Sequence, residues 1–524
     1  MKPHADAFPA RVGPDSLSAL SATVPAGDDR PGIEVEAPYS GAPIGEIPAC
    51  SRADVDAAVE RARDAQPSWA DRSAAERAEV VSRFHDLVLD RRDELLDVIQ
   101  LESAKARIDA FEEVADVAST ARHYADRAPE YLASERRKGA FPLMTRTVEH
   151  RRPVGVVGVV SPWNYPLTLA VSDAIPALLA GNAVVLKPAS ETPFAALSIR
   201  DLLRTAGVPE AAFEVVTGTG SEAGGALVDA VDYVCFTGST ETGRAVARRA
   251  GENLVDCSLE LGGKNPLLVL GDADLDAAAA GAVRGCFANA GQLCLSMERL
   301  YVHRDVRDPF LDRFVRRTRA LDLAAGYDWT PDVGSLVGSD QLEKVEAHVD
   351  DAVEKGADVV TGGRARPDIG PYFYEPTVLT GVTEEMALAR EETFGPVVAV
   401  TAVDSADEAI ERANDSEYGL NASVWTEDAE RGRRLARRID CGTVNVNDAY
   451  AAAWASTDAP MGGMKDSGLG RRHGRQGLLR YTESQTVAEQ RAGSLHPPEG
   501  VPKGWYAKGM TLALRAMARL PGVR

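Results

Sequence analysis

Apolar positions near the start of the chain recur at helical spacing in two stretches. Val55, Ala58, Val59 and Ala62 form one; Val80, Val81, Phe84, Leu87, Val88, Leu95, Val98 and Ile99 form a longer one. Recurrence at i, i+3 and i+4 predicts two amphipathic helices. The residues before them, 1 to about 50, are rich in Pro, Gly, Ala and Asp and predict an extension and a first irregular layer. From about residue 153 the texture changes to short continuous apolar runs separated by helical spacers: Val154–Val160, Ala183–Lys187, Phe213–Val216 and Tyr233–Phe236. A second set follows at Pro266–Leu270, Val397–Thr401, Ala422–Trp425 and Thr443–Asn447. Strands apolar at every position belong to parallel sheets covered on both faces, so two α/β domains are expected. Two polar, strand-like segments, Thr145–Arg152 and Tyr481–Glu489, fit neither domain. They suit an arm reaching a neighbouring subunit, or plain surface strands.

Length agrees with more than one domain, since 524 residues exceed what one core organises. No run of about 18 apolar residues occurs, and no charged-then-apolar leader opens the chain, which points to a cytoplasmic protein with no membrane span. The formal charge is −21, and of 58 basic residues only ten are lysines. Such a surface repels nucleic acid and anionic lipid. Abundant carboxylates with little lysine suit a salty, halophilic cytoplasm; a GC-rich genome would leave a similar composition. Six cysteines, at 50, 235, 257, 286, 294 and 441, show no C-x-x-C spacing and no four-ligand metal pattern. They read as reduced thiols, with Cys235 and Cys286 inside apolar patterns.

Six motifs carry candidate chemistry. In Asn289-Ala-Gly-Gln-Leu-Cys294 a glycine before a thiol lets backbone amides and a substrate approach closely, and a thiolate can add to a carbonyl carbon. Ser258-Leu-Glu260-Leu-Gly-Gly sets a glutamate between leucines, where partial burial raises its pKa toward general-base range. Ser161-Pro-Trp-Asn164-Tyr-Pro follows a strand, at the sheet end where ligands bind, and an amide fixed there can donate to an oxyanion. Phe236-Thr-Gly238-Ser239-Thr-Glu-Thr-Gly243 passes from strand to helix with Ser239 as N-cap, which suits a pyrophosphate; Val216-Thr-Gly218-Thr-Gly220 precedes it. Val184-Val-Leu-Lys187-Pro-Ala-Ser190-Glu191 puts a lysine at a strand end, within reach of ribose hydroxyls or a 2′-phosphate. Glu391-Glu392-Thr-Phe394-Gly-Pro396 offers a carboxylate for a ribose and an aromatic ring beside a flat one.

In this order the motifs resemble the aldehyde dehydrogenase superfamily, from about residue 35 to 490. The resemblance implies that Cys294 attacks the aldehyde, that Asn164 and the Cys294 N–H hold the oxyanion, and that Glu260 activates water against the thioester. It implies Glu392 on the nicotinamide ribose with Phe394 beside it, Lys187 and Ser190 on the adenosine ribose, Gly238 and Ser239 at the pyrophosphate, and Trp163 and Leu261 lining the cofactor cleft. It implies an α/β fold: a Rossmann-like cofactor domain (35–144 and 153–261), a catalytic α/β domain (262–447) and an oligomerisation β-arm (145–152 and 478–490). Around these lie an N-terminal extension (1–34) and a basic amphipathic tail (491–524), and the assembly is a homodimer or homotetramer.

Within the superfamily the sequence is most similar to the succinate-semialdehyde dehydrogenase group. The stretches carrying this are Ser161–Pro166, Gly285–Ser296, Ala365–Pro371, Pro460–Gly474 and the tail ending Leu520-Pro-Gly-Val-Arg524. Three positions depart from it. Arginines that grip the substrate carboxylate in well-studied members are replaced by Ser172 and Ala288, which leaves Arg299 or Arg471 as substitutes. A lysine and a glutamate common in relatives become Asp173 and Arg472, a charge-swapped pair near the proton exit. A glutamate usual in NAD-preferring relatives becomes Ser190, which favours NADP with NAD tolerated, although Glu191 turned inward would repel a 2′-phosphate. In the tail, Trp505, Gly509, Leu512, Ala516 and Leu520 share one helical face and Lys508, Arg515 and Arg519 the other, a pattern expected to pack on the chain's own acidic body or a sister subunit sooner than on lipid. Two other readings stand beside oxidation of an aldehyde to its carboxylate. CoA-acylating chemistry would have to spare the thioester from water, against Glu260; a non-catalytic nucleotide-binding protein would not need Cys294.

Overall fold

A computed structural model describes residues 8–27, 29–138, 144–491 and 496–519. Two parallel-rich sheets organise it. The first runs in the order Gly468–Leu469, Asp256–Glu260, Tyr233–Thr237, Val156–Val160, Ala183–Lys187, Phe213–Val215, parallel except for its first strand. The second runs Asp358–Thr361, Thr377–Thr380, Val397–Val403, Met297–His303, Asn265–Val269, Asn421–Trp425, Thr443–Val446, antiparallel only at its first pair. Every position of Ala183–Lys187 and of Asn265–Val269 is buried, as strands covered on both faces require. Helix Pro166–Leu179 is buried at every residue, so it is an interior wall and not an amphipathic cover.

Chain direction explains where the site forms. The first sheet changes connection direction at Val156–Val160, so the loops leaving Val156–Val160 and Tyr233–Thr237 open a crevice at their C-terminal ends. These are the loops carrying Trp163–Asn164 and Gly238–Ser239. Asp256–Glu260 ends on that side, and only Leu261–Lys264 separates it from Asn265–Val269 of the second sheet. The second sheet therefore offers the N-terminal ends of its strands, and the loops entering Met297–His303 and Val397–Val403 bring in Cys294 and Glu392. Late residues stitch the lobes together: Met464–Lys465 pairs with Tyr418–Gly419, and Gly468–Leu469 pairs with Asp256–Glu260.

Several sequence expectations need correction. The apolar pattern over Val80–Ile99 forms two helices, Ala74–Asp90 and Arg92–Ser103, because Asp90–Asp93 supplies four charges in a row and no apolar anchor to carry the helix through. The layer before residue 50 is not irregular where it is described: helix Pro14–Ser21 buries Leu17, and Gly32–Ala37 pairs with Ala42–Pro48. Strands Met297–His303, Asp358–Thr361 and Thr377–Thr380 were not anticipated, the first because Glu298 and Arg299 interrupt its apolar run. Thr145–Pro153 and Thr482–Gln490 pair antiparallel along their whole length, with Glu135–Arg137 as an unforeseen third strand. The tail forms helix Lys503–Met517 but buries none of its residues, and Trp505 stays 78% exposed, so it does not pack into its own body; Leu520–Arg524 lie outside the described residues. No helix among the described residues is long and apolar enough to cross a membrane.

Candidate active site

Cys294 follows a turn built against backbone preference. Asn289, Ala290 and Gly291 all take positive φ (51°, 53° and 74°), a conformation that disfavours any residue with a Cβ. Buried hydrogen bonds hold it. The Asn289 N–H donates to Asp109 Oδ2 at 2.9 Å, and its amide donates to the carbonyls of Asn164 and Gln292, each at 3.0 Å. A Cβ at Gly291 would overlap the Gly395 carbonyl, so glycine is required where the thiol turn meets the loop after Glu392. Asn265 Nδ2 donates to the Cys294 carbonyl at 2.8 Å. The thiol opens partly onto a cavity, and burial, with Glu392 and Glu260 nearby, pushes its pKa up to about 12. It rests protonated.

Asn164 sits one loop after Val156–Val160. Its Nδ2 donates to the Gln292 carbonyl at 3.0 Å, leaving its second N–H for the cavity it lines. Its backbone is fixed by a fully buried pair: Lys105 Nζ donates to the Asn164 carbonyl and to Glu113 Oε1, both at 2.6 Å. The other Glu113 oxygen accepts from the N–H groups of Leu167 and Thr168, capping the helix that follows. Sequence reading missed Lys105 and Glu113; the signal available was a lone lysine in the small-residue run Ser103-Ala-Lys-Ala.

Glu260 ends its strand with a buried carboxyl whose Oε1 has no hydrogen-bond partner among the described residues. Burial dominates and raises its pKa to about 7, although Arg472 and Arg480 pull the other way. Glu392 reaches about the same value through burial and the nearby Glu298, but its Oε1 accepts the Gly263 N–H at 2.9 Å. The Glu392 loop is anchored by Glu298, another residue that sequence reading passed over. Glu298 accepts the N–H groups of Thr393 (2.9 Å) and Phe394 (3.0 Å) while paired with buried Lys264. That anchor keeps Phe394 at φ 56°, its ring edge-on to Trp163 at 5.5 Å.

Two cavities meet at the thiol. One is lined by Trp163, Gly238, Ser239, Lys344, Glu392 and Phe394. The other is mostly apolar, with Tyr165, Leu293, Tyr450, Trp454, Met461 and Arg472 among its walls. Asn164, Glu260, Leu261 and Cys294 line both. Ser239 is the N-cap of Thr240–Glu252, its hydroxyl accepting the Thr242 N–H at 3.3 Å, so a helix N-terminus opens onto the first cavity. Lys187 and Ser190 stand apart. Lys187 is buried at its strand end, and Ser190 lines a neighbouring cleft with Trp163 and Glu191. An elongated dinucleotide fits this series of spaces, with an anion at the Ser239 helix and an aromatic wall beside the thiol.

The substitute arginines are corrected. Arg299 spends its guanidinium on the carbonyls of Lys264, Arg412 and Ala413, away from both cavities. Arg471 donates to the carbonyls of Gly463 and Gly470 and lines neither. Asp173 and Arg472 do pair, through Arg472 Nη2 on Asp173 Oδ2 at 2.7 Å. Ser172 lines the apolar cavity, and its hydroxyl, like that of Tyr165, is buried without a partner among the described residues.

Residues 24–487 match the sequence profile of the aldehyde dehydrogenase family. The chain belongs to the aldehyde dehydrogenase family. It is 54% identical over 495 residues, 94% of its length and 96% of the relative's, to a Mycolicibacterium smegmatis protein named "Putative succinate-semialdehyde dehydrogenase", with NADP(+) in the name. A Mycobacterium tuberculosis protein of the same name, numbered 2, is 50% identical over the same shares. Among solved structures, an NADP dependent enzyme of E. coli superposes with a TM-score of 0.87 at 34% identity, covering 90% of this chain and 99% of the other. Betaine aldehyde dehydrogenase of Staphylococcus aureus, in complex with NAD+, gives 0.87 at 30% identity, covering 93% and 98%. This aldehyde dehydrogenase thus shares its fold with an enzyme named for betaine aldehyde, while the sequence relatives above are named for succinate semialdehyde.

Proposed function

We propose that this aldehyde dehydrogenase oxidises succinate semialdehyde to its carboxylate, with NADP+ preferred over NAD+. The observation carrying the reading is the position of Cys294 in the wall between the two cavities. A nicotinamide fits on the Trp163–Phe394 side and an aldehyde on the Tyr165–Leu293 side, with the thiol reaching both.

As the thiol proton leaves to solvent water, Cys294 Sγ bonds to the carbonyl carbon, and the oxygen gains a charge that the free N–H of Asn164 and the Cys294 N–H stabilise. When bound, the cofactor supplies a two-electron acceptor for the hydride leaving that carbon. The carbonyl re-forms as a thioester. Glu260, with one oxygen unpartnered and an affinity near neutrality, takes a proton from water as the water adds; the C–S bond then breaks and the carboxylate departs. Glu392, fixed on the Gly263 N–H, suits ribose hydroxyls, and Lys187 with Ser190 suits the adenosine ribose. The alternative thioester acceptor, CoA, is disfavoured by a base standing beside the thiol.

The substrate follows the relatives' names and the groups free in the cavity. The Ser172 and Tyr165 hydroxyls can donate to a second carboxylate, and the Lys105 ammonium lies 3.9 Å from the Tyr165 ring centre. NADP+ follows from Ser190 standing where a carboxylate would repel a 2′-phosphate, with Glu191 exposed. Six free thiols suit a reducing, cytoplasmic compartment, and the carboxylate excess a salty one; an exposed strand Thr482–Gln490 suits pairing into a homodimer or homotetramer. The test is kcat/KM for a panel of aldehydes with each coenzyme. Succinate semialdehyde is expected to exceed neutral aldehydes of equal length by at least about tenfold, about 1.4 kcal/mol in transition-state binding. A smaller margin removes the substrate assignment, and equal efficiency with NAD+ removes the coenzyme assignment.

A further inference from the structure

Behind Glu260 lies a buried ion cluster that the steps above do not use. Asp173, on the interior helix, accepts Arg472 twice, from Nε at 3.3 Å and Nη2 at 2.7 Å. It also accepts Arg480 Nη2 and the Tyr481 hydroxyl, the latter at 3.2 Å. Arg472 Nη2 reaches the Thr237 hydroxyl at 2.6 Å as well, and the Tyr481 oxygen lies 3.2 Å from Cys235 Sγ. Both guanidinium side chains and the Asp173 carboxylate are at most 10% exposed. One carboxylate against two guanidiniums leaves one positive charge uncompensated where water is scarce, and burying such a charge is costly without a counterpart. Arg472 faces the apolar cavity, and so does the unpartnered oxygen of Glu260.

We infer that Arg472, tethered by Asp173, is a positioning residue for Glu260: a fixed cation beside the base that sets the pH at which thioester hydrolysis begins. This rests on the reading of Glu260 as that base. The groups acting on Glu260 are Arg472, Arg480 and Arg471, which favour its ionised form, and Asp173, which opposes it. Cys294, Asp116 and His473 also line the cavity. Asp116, on helix Arg107–Tyr131, is raised to about 7 by burial, with Arg472 pulling the other way. His473, pushed down to about 4 by burial and Arg472, is neutral in the working range. The arrangement lets a deeply enclosed carboxyl ionise without a hydrogen bond, since a donor on its oxygen would have to be broken each time water is activated.

Opposite signs make the inference testable. Arg472→Gln removes a positive neighbour and should move the acid limb of the hydrolysis rate up by about one pH unit, a tenfold loss at a fixed pH on that limb. Asp173→Asn removes a negative neighbour and should move it down. Arg472→Lys keeps the charge and should recover most of the shift; Thr237→Val, which removes only one bond to Arg472, should give a smaller upward one. Thermal midpoint and NADP+ affinity at pH 8 serve as folding controls, and the conservative pair carries the test if Arg472→Gln does not fold. Rate losses uniform across pH, or shifts of the same sign in Arg472→Gln and Asp173→Asn, would assign the cluster to structure alone and overturn the inference. Glu260→Gln run alongside separates the two failures: if its thioester still hydrolyses, the base assignment falls.

Discussion

Glu260 and Glu392 form a natural comparison, since both carboxyls, the first buried and the second half-buried, line the cavity beside Cys294 and each has its pKa raised to about 7. Their surroundings differ. Glu392 has an oxygen on the Gly263 N–H and belongs to a loop pinned by Glu298 and Lys264. Glu260 has an oxygen with no partner and a cluster of arginines behind it. Matched affinity therefore does not imply matched work. A carboxyl with a fixed hydrogen bond is suited to holding hydroxyls in place; one with an idle oxygen and a tethered counter-charge is suited to gaining and losing a proton.

The largest expected effect breaks the comparison by exchanging one member at a time. Glu260→Gln should slow thioester hydrolysis by about 10²–10⁴-fold, read as a burst of reduced coenzyme followed by a slow steady state. Glu392→Gln should instead raise the coenzyme KM and leave no burst excess. Reversed signatures would show that the two roles have been assigned the wrong way round. Next in size is Gly291→Ala. Its added methyl must displace the Gly395 carbonyl, separating the thiol from the Glu392 loop; a shift of about 1 Å is expected to cost about 10²-fold in kcat. Activity within twofold of the parent would show that the loops need not touch.

The smallest effect sharpens the comparison through stability. The folded protein holds the Glu260 proton more tightly than the unfolded chain does, so this group's contribution is full below pH 4.5 and is lost as pH rises toward about 7. Glu260→Gln should therefore stabilise the protein at pH 8, by about 1–3 kcal/mol, and hardly at pH 4.5. Glu392→Gln should gain less, because the Glu392 carboxylate is only half-buried and already accepts the Gly263 N–H at 2.9 Å. Thermal midpoints of both variants at the two pH values decide it; equal gains at pH 4.5 and pH 8 would refute the titration as the cause.

Much of this was legible from residues alone. Apolar runs located both sheets, and Cys294, Glu260, Asn164 and Glu392 were singled out for the cavity they line. The sequence could not reveal what depends on closure between lobes. Arg299 looked available for a substrate because its three carbonyl acceptors come from residues up to 114 positions away. Lys105, Glu113 and Glu298 were not singled out, since burial of a charge leaves no periodic mark in a sequence. Asp173 and Arg472 were paired by comparison with relatives, but Arg480 and Tyr481, which complete the cluster, follow a helix and a turn that only the fold brings back.

The left-handed turn at Asn289–Gly291 has a consequence for how such an enzyme can diversify. Its geometry is fixed by atoms from Asp109, Asn164 and Gly395, on three separate stretches of chain. A side chain added at Gly291 meets the Gly395 backbone, whereas Ser172, Leu293, Trp454 and Met461 line the apolar cavity. New substrates can therefore be acquired by exchanging wall residues while the reactive sulfur stays where it is, and a directed-evolution library gains by leaving 289–291 untouched and spending its diversity on the walls.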